Sequence, residues 1–145
     1  MKDPIEFYVQ GIPKGQPRPK AFSRGGIAKV YDPGTAEGWK GLVALAAKGL
    51  LPAEPLAGCV YLSLKFYMPR PRGHYRTGKN AQMLKPSAPG FCSTKPDADN
   101  LAKAVMDALT QLNAWRDDAQ VVQLHASKLY DNGGGPGCKI TIAEA

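Results

Sequence analysis

The alternation of apolar and polar positions along the chain predicts two helices and several strands. In residues 98–112 the apolar side chains recur every three or four positions and form one stripe, which is typical of an amphipathic helix; they are Leu101, Val105, Ala108, Leu109 and Leu112. A second helix is predicted over 35–50, with Thr35 as a candidate cap, Pro52 just past its end and one side formed by Trp39, Leu42, Val43 and Ala46. β-Branched and aromatic residues predict strands at 5–9, 27–31, 59–68, 119–130 and 138–145.

The segments between these elements are rich in proline and glycine. Residues 11–26 and 69–94 lack periodicity and predict loops, and a loop as long as 69–94 is often functional. The stretch DNGGGPG at 131–137 predicts a turn, and therefore a hairpin between the last two strands. The strand 59–68 is apolar enough to lie centrally in a sheet. The order of elements predicts a single α+β (mixed α/β) domain over 1–145, with a mixed sheet and two main helices.

Composition limits the class of protein. The chain has 145 residues, 43% of them apolar and 21% charged, which is typical of one folded domain. No apolar run approaches the ~20 residues of a spanning helix, and the N-terminus lacks the apolar core of a signal peptide. The cysteines form no C-x-x-C pair, so we expect neither a disulfide framework nor a zinc finger; they are Cys59, Cys92 and Cys138. We expect a cytoplasmic protein, without a membrane partner, in a reducing environment.

Charge is unevenly distributed along the chain, which carries a formal net charge of +7. Two acid-free blocks, 7–31 and 55–96, contain twelve of the nineteen Lys and Arg residues, whereas five of the twelve acids lie between Asp97 and Asp118. Segregated basic charge suits a polyanion, and nucleic acid is the commonest polyanionic partner. The alternative is a solvated basic face without a ligand.

The acids gather around the predicted helix at 98–112. Asp99, Lys103 and Asp107 are four residues apart, so they share one helix face, and Asp97 lies at the entrance of the helix. Asp117 and Asp118 open the next strand and could complete the cluster. Carboxylates this dense suit Mg²⁺ or Mn²⁺. Alternatively, Asp97 or Asp99 is a helix cap, Lys103 is an ordinary ion-pair partner, and the Asp117–Asp118 pair belongs to a turn.

Two other signals do not indicate a site. The stretch GHYRTGKN at 73–80 matches G-x-x-x-x-G-K, but Asn80 stands where a P-loop needs Ser or Thr, and no helix is predicted after it. His74 and His125 have no Cys or His at ligand spacing. We expect His125 to be a core or sheet-face residue, and His74 is a candidate phosphate contact.

The stretches KPDADNLAKAVMDAL and WRDDAQVV together resemble the RusA family of Holliday-junction resolvases, which are common in phages and prophages. The family pattern is D-x-D-N-L-x-K-x-x-x-D-A-L followed by D-D-x-Q-[VI]. All its positions match here: Asp97, Asp99, Asn100, Leu101, Lys103, Asp107, Ala108, Leu109, Asp117, Asp118, Gln120 and Val121. The N-terminal stretches GIPKGQPRPK and YDPGTAEGWK also resemble the family's opening segment.

The resemblance implies the roles of individual residues. Asp97, Asp99 and Asp118 match carboxylates that bind catalytic Mg²⁺, for which Mn²⁺ can substitute. Lys103 matches a catalytic lysine, and Asp107 matches a recurring acid with a less settled role. It also implies a RusA-like homodimer that places two active sites on a four-way DNA junction. Strand 59–68 and helix 35–50 are candidate dimer surfaces. The expected DNA contacts are Lys14, Arg18, Lys20, Arg24, Arg70, Arg72, Arg76, Lys79 and Lys95.

Three functions follow as hypotheses. The first is a Mg²⁺-dependent crossover junction endodeoxyribonuclease that resolves four-way junctions by paired symmetric nicks, in DNA recombination and repair, within a bacterial or phage-infected cell. The second is a nuclease acting on other branched DNA. The third is a non-catalytic, basic nucleic-acid-binding protein whose acids are caps and surface charges.

Overall fold

A computed structural model describes residues 3–17, 20–24, 27–31 and 36–145, with the backbone alone described for 20–24 and 27–31. The strands are β1 (Ile5–Gln10), β2 (Lys20–Arg24), β3 (Ile27–Tyr31), β4 (Val60–Met68), β5 (Val121–Tyr130) and β6 (Gly137–Glu144). The helices are α1 (Glu37–Ala47) and α2 (Ala98–Gln111). Thr35, the candidate cap of the first helix, lies outside the described residues.

Four strands form one mixed sheet in the order β1-β6-β4-β5. β4 runs parallel to β5 and antiparallel to β6, and β6 runs antiparallel to β1. The predicted α+β class, with a mixed sheet and two helices, is therefore confirmed. β4 lies in the interior of the sheet, as its apolar sequence predicts.

The predicted hairpin between β5 and β6 is wrong, because β4 lies between them. Tyr130 at the end of β5 is level with Met68, and Gly137 at the start of β6 is level with Tyr67. Residues 131–136 therefore cross the end of β4 over two strand spacings, about 10 Å. Asp131 fixes the crossing: its N–H donates to the carbonyl of Met68, and its Oδ1 accepts from the N–H groups of Gly133 and Gly135. A glycine-rich segment predicts a turn, but does not specify which strands it joins.

The core lies between one face of the sheet and the two helices. Alternate residues of β4 are fully buried, namely Val60, Leu62, Leu64 and Phe66, and they pack with Ile140 and Ile142 of β6. α2 buries its predicted stripe through Leu101, Val105, Ala108 and Leu109. The predicted apolar side of α1 is partly wrong, because α1 packs through Trp39, Lys40, Val43 and Ala47 and leaves Leu42 exposed. In α1, Trp39, Val43 and Ala47 are four residues apart and so lie on one side of the helix, with Lys40 beside them.

The N-terminal loop prediction is also partly wrong. β2 and β3 pair antiparallel as a separate two-stranded sheet, so residues 20–24 form a strand. The sequence places Gly25 and Gly26 between the two strands, which is a hairpin signal that the loop assignment overlooked. Residues 69–94 form a long loop, as predicted, which contains two short 3₁₀ turns at Arg72–His74 and Gly78–Asn80. No described helix is long and apolar enough to cross a membrane.

Candidate active site

The start of α2 presents the first acids of the cluster. Asp97 occupies the N-cap position after a cis Lys95–Pro96 peptide bond, but its side chain makes no capping hydrogen bond. Instead, Lys95 Nζ donates to both of its oxygens, at 2.8 and 3.0 Å. Asp99 Oδ1 accepts a hydrogen bond from the N–H of Asn100 at 2.9 Å. The capping alternative therefore does not describe Asp97, whose carboxylate lies against a lysine.

Lys103 joins the helix to the following turn. Its Nζ donates to Asp107 Oδ1 at 2.7 Å and to Asp118 Oδ2 at 3.0 Å, and half of its side chain is exposed. The hydrogen bond to Asp107, followed by the one to Asp118, raises the pKa of Lys103 above its ordinary value. The same contact with Lys103 lowers the pKa of Asp118. Lys103 is therefore protonated at neutral pH and lies between the carboxyl groups of Asp107 and Asp118.

Lys40 brings a second cation to Asp107, although the sequence pattern did not assign it to the site. It belongs to α1, its side chain is only 9% exposed, and its Nζ lies 3.9 Å from Asp107 Oδ2 and 3.7 Å from Glu37 Oε1. A buried lysine is rare unless it is paired. Asp107 consequently lies between two lysines from different helices. In the sequence, the only indication that Lys40 belongs to the site was its position on the side of α1 that also carries Trp39 and Val43.

A compact 3₁₀ turn presents Asp118. Asp117 caps this turn, because its Oδ1 accepts from the N–H of Ala119 at 2.8 Å while Gln120 Oε1 accepts from the N–H of Asp117. The Gln120 amide also donates to the carbonyls of Leu56 and Gly58. Asp117 thus has the local role that the turn alternative describes, and Asp118 is the member of the pair that faces Lys103.

The structure brings Lys103, Asp107 and Asp118 into direct contact, and places Asp97 and Asp99 at the start of the same helix. Asp99 lies one turn before Lys103, about 6 Å along the axis, and Asp97 lies about 9 Å before it. Within the described residues no three His, Cys, Asp or Glu side chains form a group that could hold a metal ion. The Mg²⁺ assignment of Asp97, Asp99 and Asp118 therefore stays a prediction. Their oxygen donors fit a hard cation, provided that Lys95 and Lys103 release them.

The predicted DNA contacts differ in their surroundings. Lys95 is exposed and contacts Asp97, and Lys14 is exposed in the cleft that Asp97 also lines. Arg72, Arg76 and Lys79 are exposed on the long loop. Arg70 instead holds the loop: its Nε donates to the carbonyl of Asp131, and its Nη1 donates to that of Pro89, both at 2.8 Å. Arg18, and the side chains of Lys20 and Arg24, lie outside the described residues.

The two histidines contact residues other than the cluster acids, and the G-x-x-x-x-G-K stretch does not form a phosphate loop. His74 Nδ1 lies 3.3 Å from Arg70 Nη1, and its ring packs edge-on against Tyr130. His125 is exposed on the face of the sheet opposite the core, beside Ser63. The end of the G-x-x-x-x-G-K stretch forms a three-residue 3₁₀ turn rather than the start of an α-helix, which agrees with its rejection as a phosphate loop.

Comparison with known proteins identifies the family. A family model described as Endodeoxyribonuclease RusA matches residues 10–143. The uncharacterized protein YqaN of Bacillus subtilis (strain 168) is 37% identical over 133 residues, which cover 88% of this chain and 89% of YqaN. Two proteins named crossover junction endodeoxyribonuclease RusA, from Escherichia coli (strain K12) and Enterobacteria phage 82, are 48% identical over 48 residues, or 33% of this chain and 39% of each relative. Since the family model spans nearly the whole chain, this chain belongs to the RusA endodeoxyribonuclease family.

Proposed function

We propose that this protein is a Mg²⁺-dependent endonuclease that resolves four-way DNA junctions by paired symmetric nicks, with Mn²⁺ as a substitute metal. Its role would lie in DNA recombination and repair, in the cytoplasm of a bacterial or phage-infected cell. The observation that carries the proposal is the α2 face on which Lys103 contacts Asp107 and Asp118, one turn after Asp99, in a chain of this family.

The carboxylates of Asp97, Asp99 and Asp118 would hold the metal. When bound, Mg²⁺ lowers the pKa of coordinated water and polarises a phosphoryl oxygen. Around it, the chain's own cations organise the carboxylates. In the free protein Lys95 pairs with Asp97 and Lys103 pairs with Asp118, so each lysine offsets the negative charge of one predicted metal ligand.

Lys103 would act on the DNA itself. Its raised pKa keeps it protonated at neutral pH, and its half-exposed ammonium group can donate to the scissile phosphate or to the leaving oxygen. Negative charge grows on both as the bond breaks, so a fixed cation stabilises the transition state more than the ground state. Asp107 is the positioning residue for this step, because it holds Lys103 while Lys40 holds Asp107 from the core side.

The exposed bases beside the acids would hold the junction arms through their phosphates. Lys95 pairs with Asp97, Lys14 lines the same cleft as Asp97, and Arg72, Arg76 and Lys79 add positive charge on the long loop. Contacts of this kind set register and orientation, and they weaken steeply with salt.

A homodimer belongs to the same proposal, since paired nicks need two active sites. β4 has a paired strand on each edge, so dimerisation by strand pairing along the 59–68 segment is excluded. Helix α1 stays a candidate surface, because Leu42 and Leu45 are exposed on it, Leu45 by 70%. Sedimentation of the wild type and of a Leu45→Lys variant tests this assignment, and unchanged dimers in the variant would remove α1 as the interface.

Cleavage of a strand-labelled four-way junction tests the proposed function. We expect symmetric nicks on opposite strands in Mg²⁺, none in EDTA, and an intact linear duplex. Asp118→Asn should abolish cleavage and retain binding, whereas Glu54→Gln, at an exposed acid outside the cluster, should cleave like the wild type. Tight binding without cleavage in Mg²⁺ or Mn²⁺ would favour a binding protein, and preferential cutting of flaps would favour a nuclease on other branched DNA.

A further inference from the structure

A cleft of about 630 Å³ opens directly beside the acids. Three segments line it, 12–17, 68–71 and 92–97, together with Asn100 and Tyr130. Its volume falls within the range of about 300–1,000 Å³ that is typical of small-molecule sites. Asp97 is part of its wall, so any group inside the cleft lies next to a predicted metal ligand.

The walls and the mouth of the cleft differ in chemistry. The walls are largely apolar, and the side chains that form them include Pro13, Met68, Pro69, Pro71 and Tyr130. The mouth carries Lys14 and Lys95, and the side chain of Lys95 is 85% exposed. Phosphates are bound well by cations, and among the residues that line the cleft the cations are Lys14 and Lys95. A flat apolar group that is attached to a phosphate matches both regions.

The cleft is held in shape by hydrogen bonds from several elements. The N–H of Gln16 donates to the carbonyl of Asn100 at 2.8 Å, which fixes the 12–17 segment to α2. Lys128 Nζ donates to the carbonyls of Thr94 and Pro96, at 2.6 and 2.7 Å, which fixes the opposite wall to β5. Arg70 lies over the ring of Tyr130 at 5.2 Å and ties the loop to Asp131 and Pro89. A site formed before the ligand arrives loses less entropy on binding.

Asn100 adds a polar group to this apolar surface. Its side chain lines the cleft, and no described residue hydrogen-bonds its amide. An amide both donates and accepts, as does the edge of a nucleobase. In a duplex the Watson–Crick edge of each base is engaged in pairing, so this edge is available only in an unpaired nucleotide.

We propose that this cleft receives one unstacked nucleotide of the DNA, next to the phosphate that is cleaved. The inference rests on the proposed junction cleavage and adds the ligand of a second, adjacent subsite. The base lies between the proline and Tyr130 walls, its edge meets Asn100, and its phosphate lies between Lys14 and Lys95. A branch point supplies such a nucleotide at the lowest cost, because stacking is already interrupted there.

The test uses 2-aminopurine, a base whose fluorescence rises when it leaves the stack. The nick is first mapped on an unmodified junction in Mg²⁺, and then single 2-aminopurines are placed at each position on both sides of the nick. With wild-type protein bound in EDTA, we expect a rise at one position next to the nick and none in a linear duplex of the same sequence. A mismatch opposite that position should tighten junction binding by about tenfold, because it lowers the cost of extrusion by ~1.4 kcal/mol.

A matched pair of variants ties the signal to the cleft. Ile12→Ala removes an exposed apolar side chain from its edge, and Val122→Ala removes one at the opposite end of β5 from Tyr130. We expect Ile12→Ala to reduce both the fluorescence rise and the mismatch preference, and Val122→Ala to change neither. Mg²⁺-dependent cleavage with every 2-aminopurine still quenched, or equal effects of the two variants, would overturn the inference and leave the proposed function standing. If the wild-type protein did not cleave the junction specifically in Mg²⁺, the proposed function itself would be overturned.

Discussion

Replacing Lys103 by Met separates a catalytic role of this lysine from a structural one. Its two ion pairs are partly exposed, with 50% of the Lys103 side chain, 24% of Asp107 and 37% of Asp118 in contact with solvent. Exposed pairs each contribute roughly 0.2–1 kcal/mol. Removing both should therefore lower the free energy of unfolding by about 1 kcal/mol. The remaining repulsion between Asp107 and Asp118 adds to this loss, and the apolar contacts of the Met chain oppose it.

The effect on cleavage should be much larger. Removing one group that stabilises developing charge typically costs a factor of about 10²–10³ in rate, and we expect that loss for Lys103→Met at saturating junction. Lys103→Arg keeps the charge but spreads it over a planar group, so it should recover only part of the rate. The assay pairs single-turnover cleavage with urea unfolding. A loss of several kcal/mol in stability, or a rate within threefold of the wild type, would refute this reasoning.

The pH dependence of stability provides a second test of the same contact. The pKa of Asp118 is lowered, so the stabilisation from its ion pair is present above the ordinary value of 3.8 and is lost as the pH falls through the lowered pKa. The pKa of Lys103 is raised, so its contribution is complete below 10.5 and is lost as the pH rises through the raised pKa. The stability difference between wild type and Lys103→Met should therefore be constant from about pH 5 to 9 and should shrink at both extremes. A difference that instead varied across neutral pH would contradict these shifts.

Three further predictions concern other parts of the molecule. Asp99→Asn should abolish cleavage while junction binding is unchanged or tighter, because it removes a predicted metal ligand and a charge that repels phosphate; joint loss of binding and folding would make Asp99 a structural residue. Native alkylation at pH 8 should label exposed Cys59 and spare Cys138, whose pKa is raised by burial, and mass spectrometry of the peptides checks this. Gly137→Ala should cost about 1–3 kcal/mol, because a Cβ there collides with the carbonyl of Val9 and the Tyr8 hydroxyl, whereas Gly73→Ala, which meets open space, should be near neutral in thermal unfolding.

The sequence predicted the parts of the fold that local pattern determines. The α2 stripe and the interior position of β4 follow from hydrophobic periodicity, because burial selects apolar side chains at helical or strand spacing. The predicted β5–β6 hairpin was wrong because local pattern does not determine which strands pair with each other. The segment 131–136 has turn chemistry, but the choice of partner strand depends on β4, which needs a neighbour on each edge.

The part of the candidate site that lies on a single helix, α2, was predictable from the sequence. The spacing of Lys103 and Asp107 in α2 places them in contact, and the ion pair between them is present. Lys40 was not predicted, because its approach to Asp107 depends on how α1 packs against α2. The internal role of Arg70 depends in the same way on the path of the long loop, which periodicity does not determine.

Binding of Mn²⁺ to the protein alone, followed by electron paramagnetic resonance, tests the central claim that the acidic face of α2 and the neighbouring Asp118 form a metal site. The account predicts that the wild type and Glu54→Gln bind Mn²⁺ equally, that Mg²⁺ competes, and that Asp97→Asn, Asp99→Asn and Asp118→Asn each weaken binding. Equal Mn²⁺ affinity in all five proteins would contradict it, and the acids would then be caps and ion-pair partners of Lys95 and Lys103.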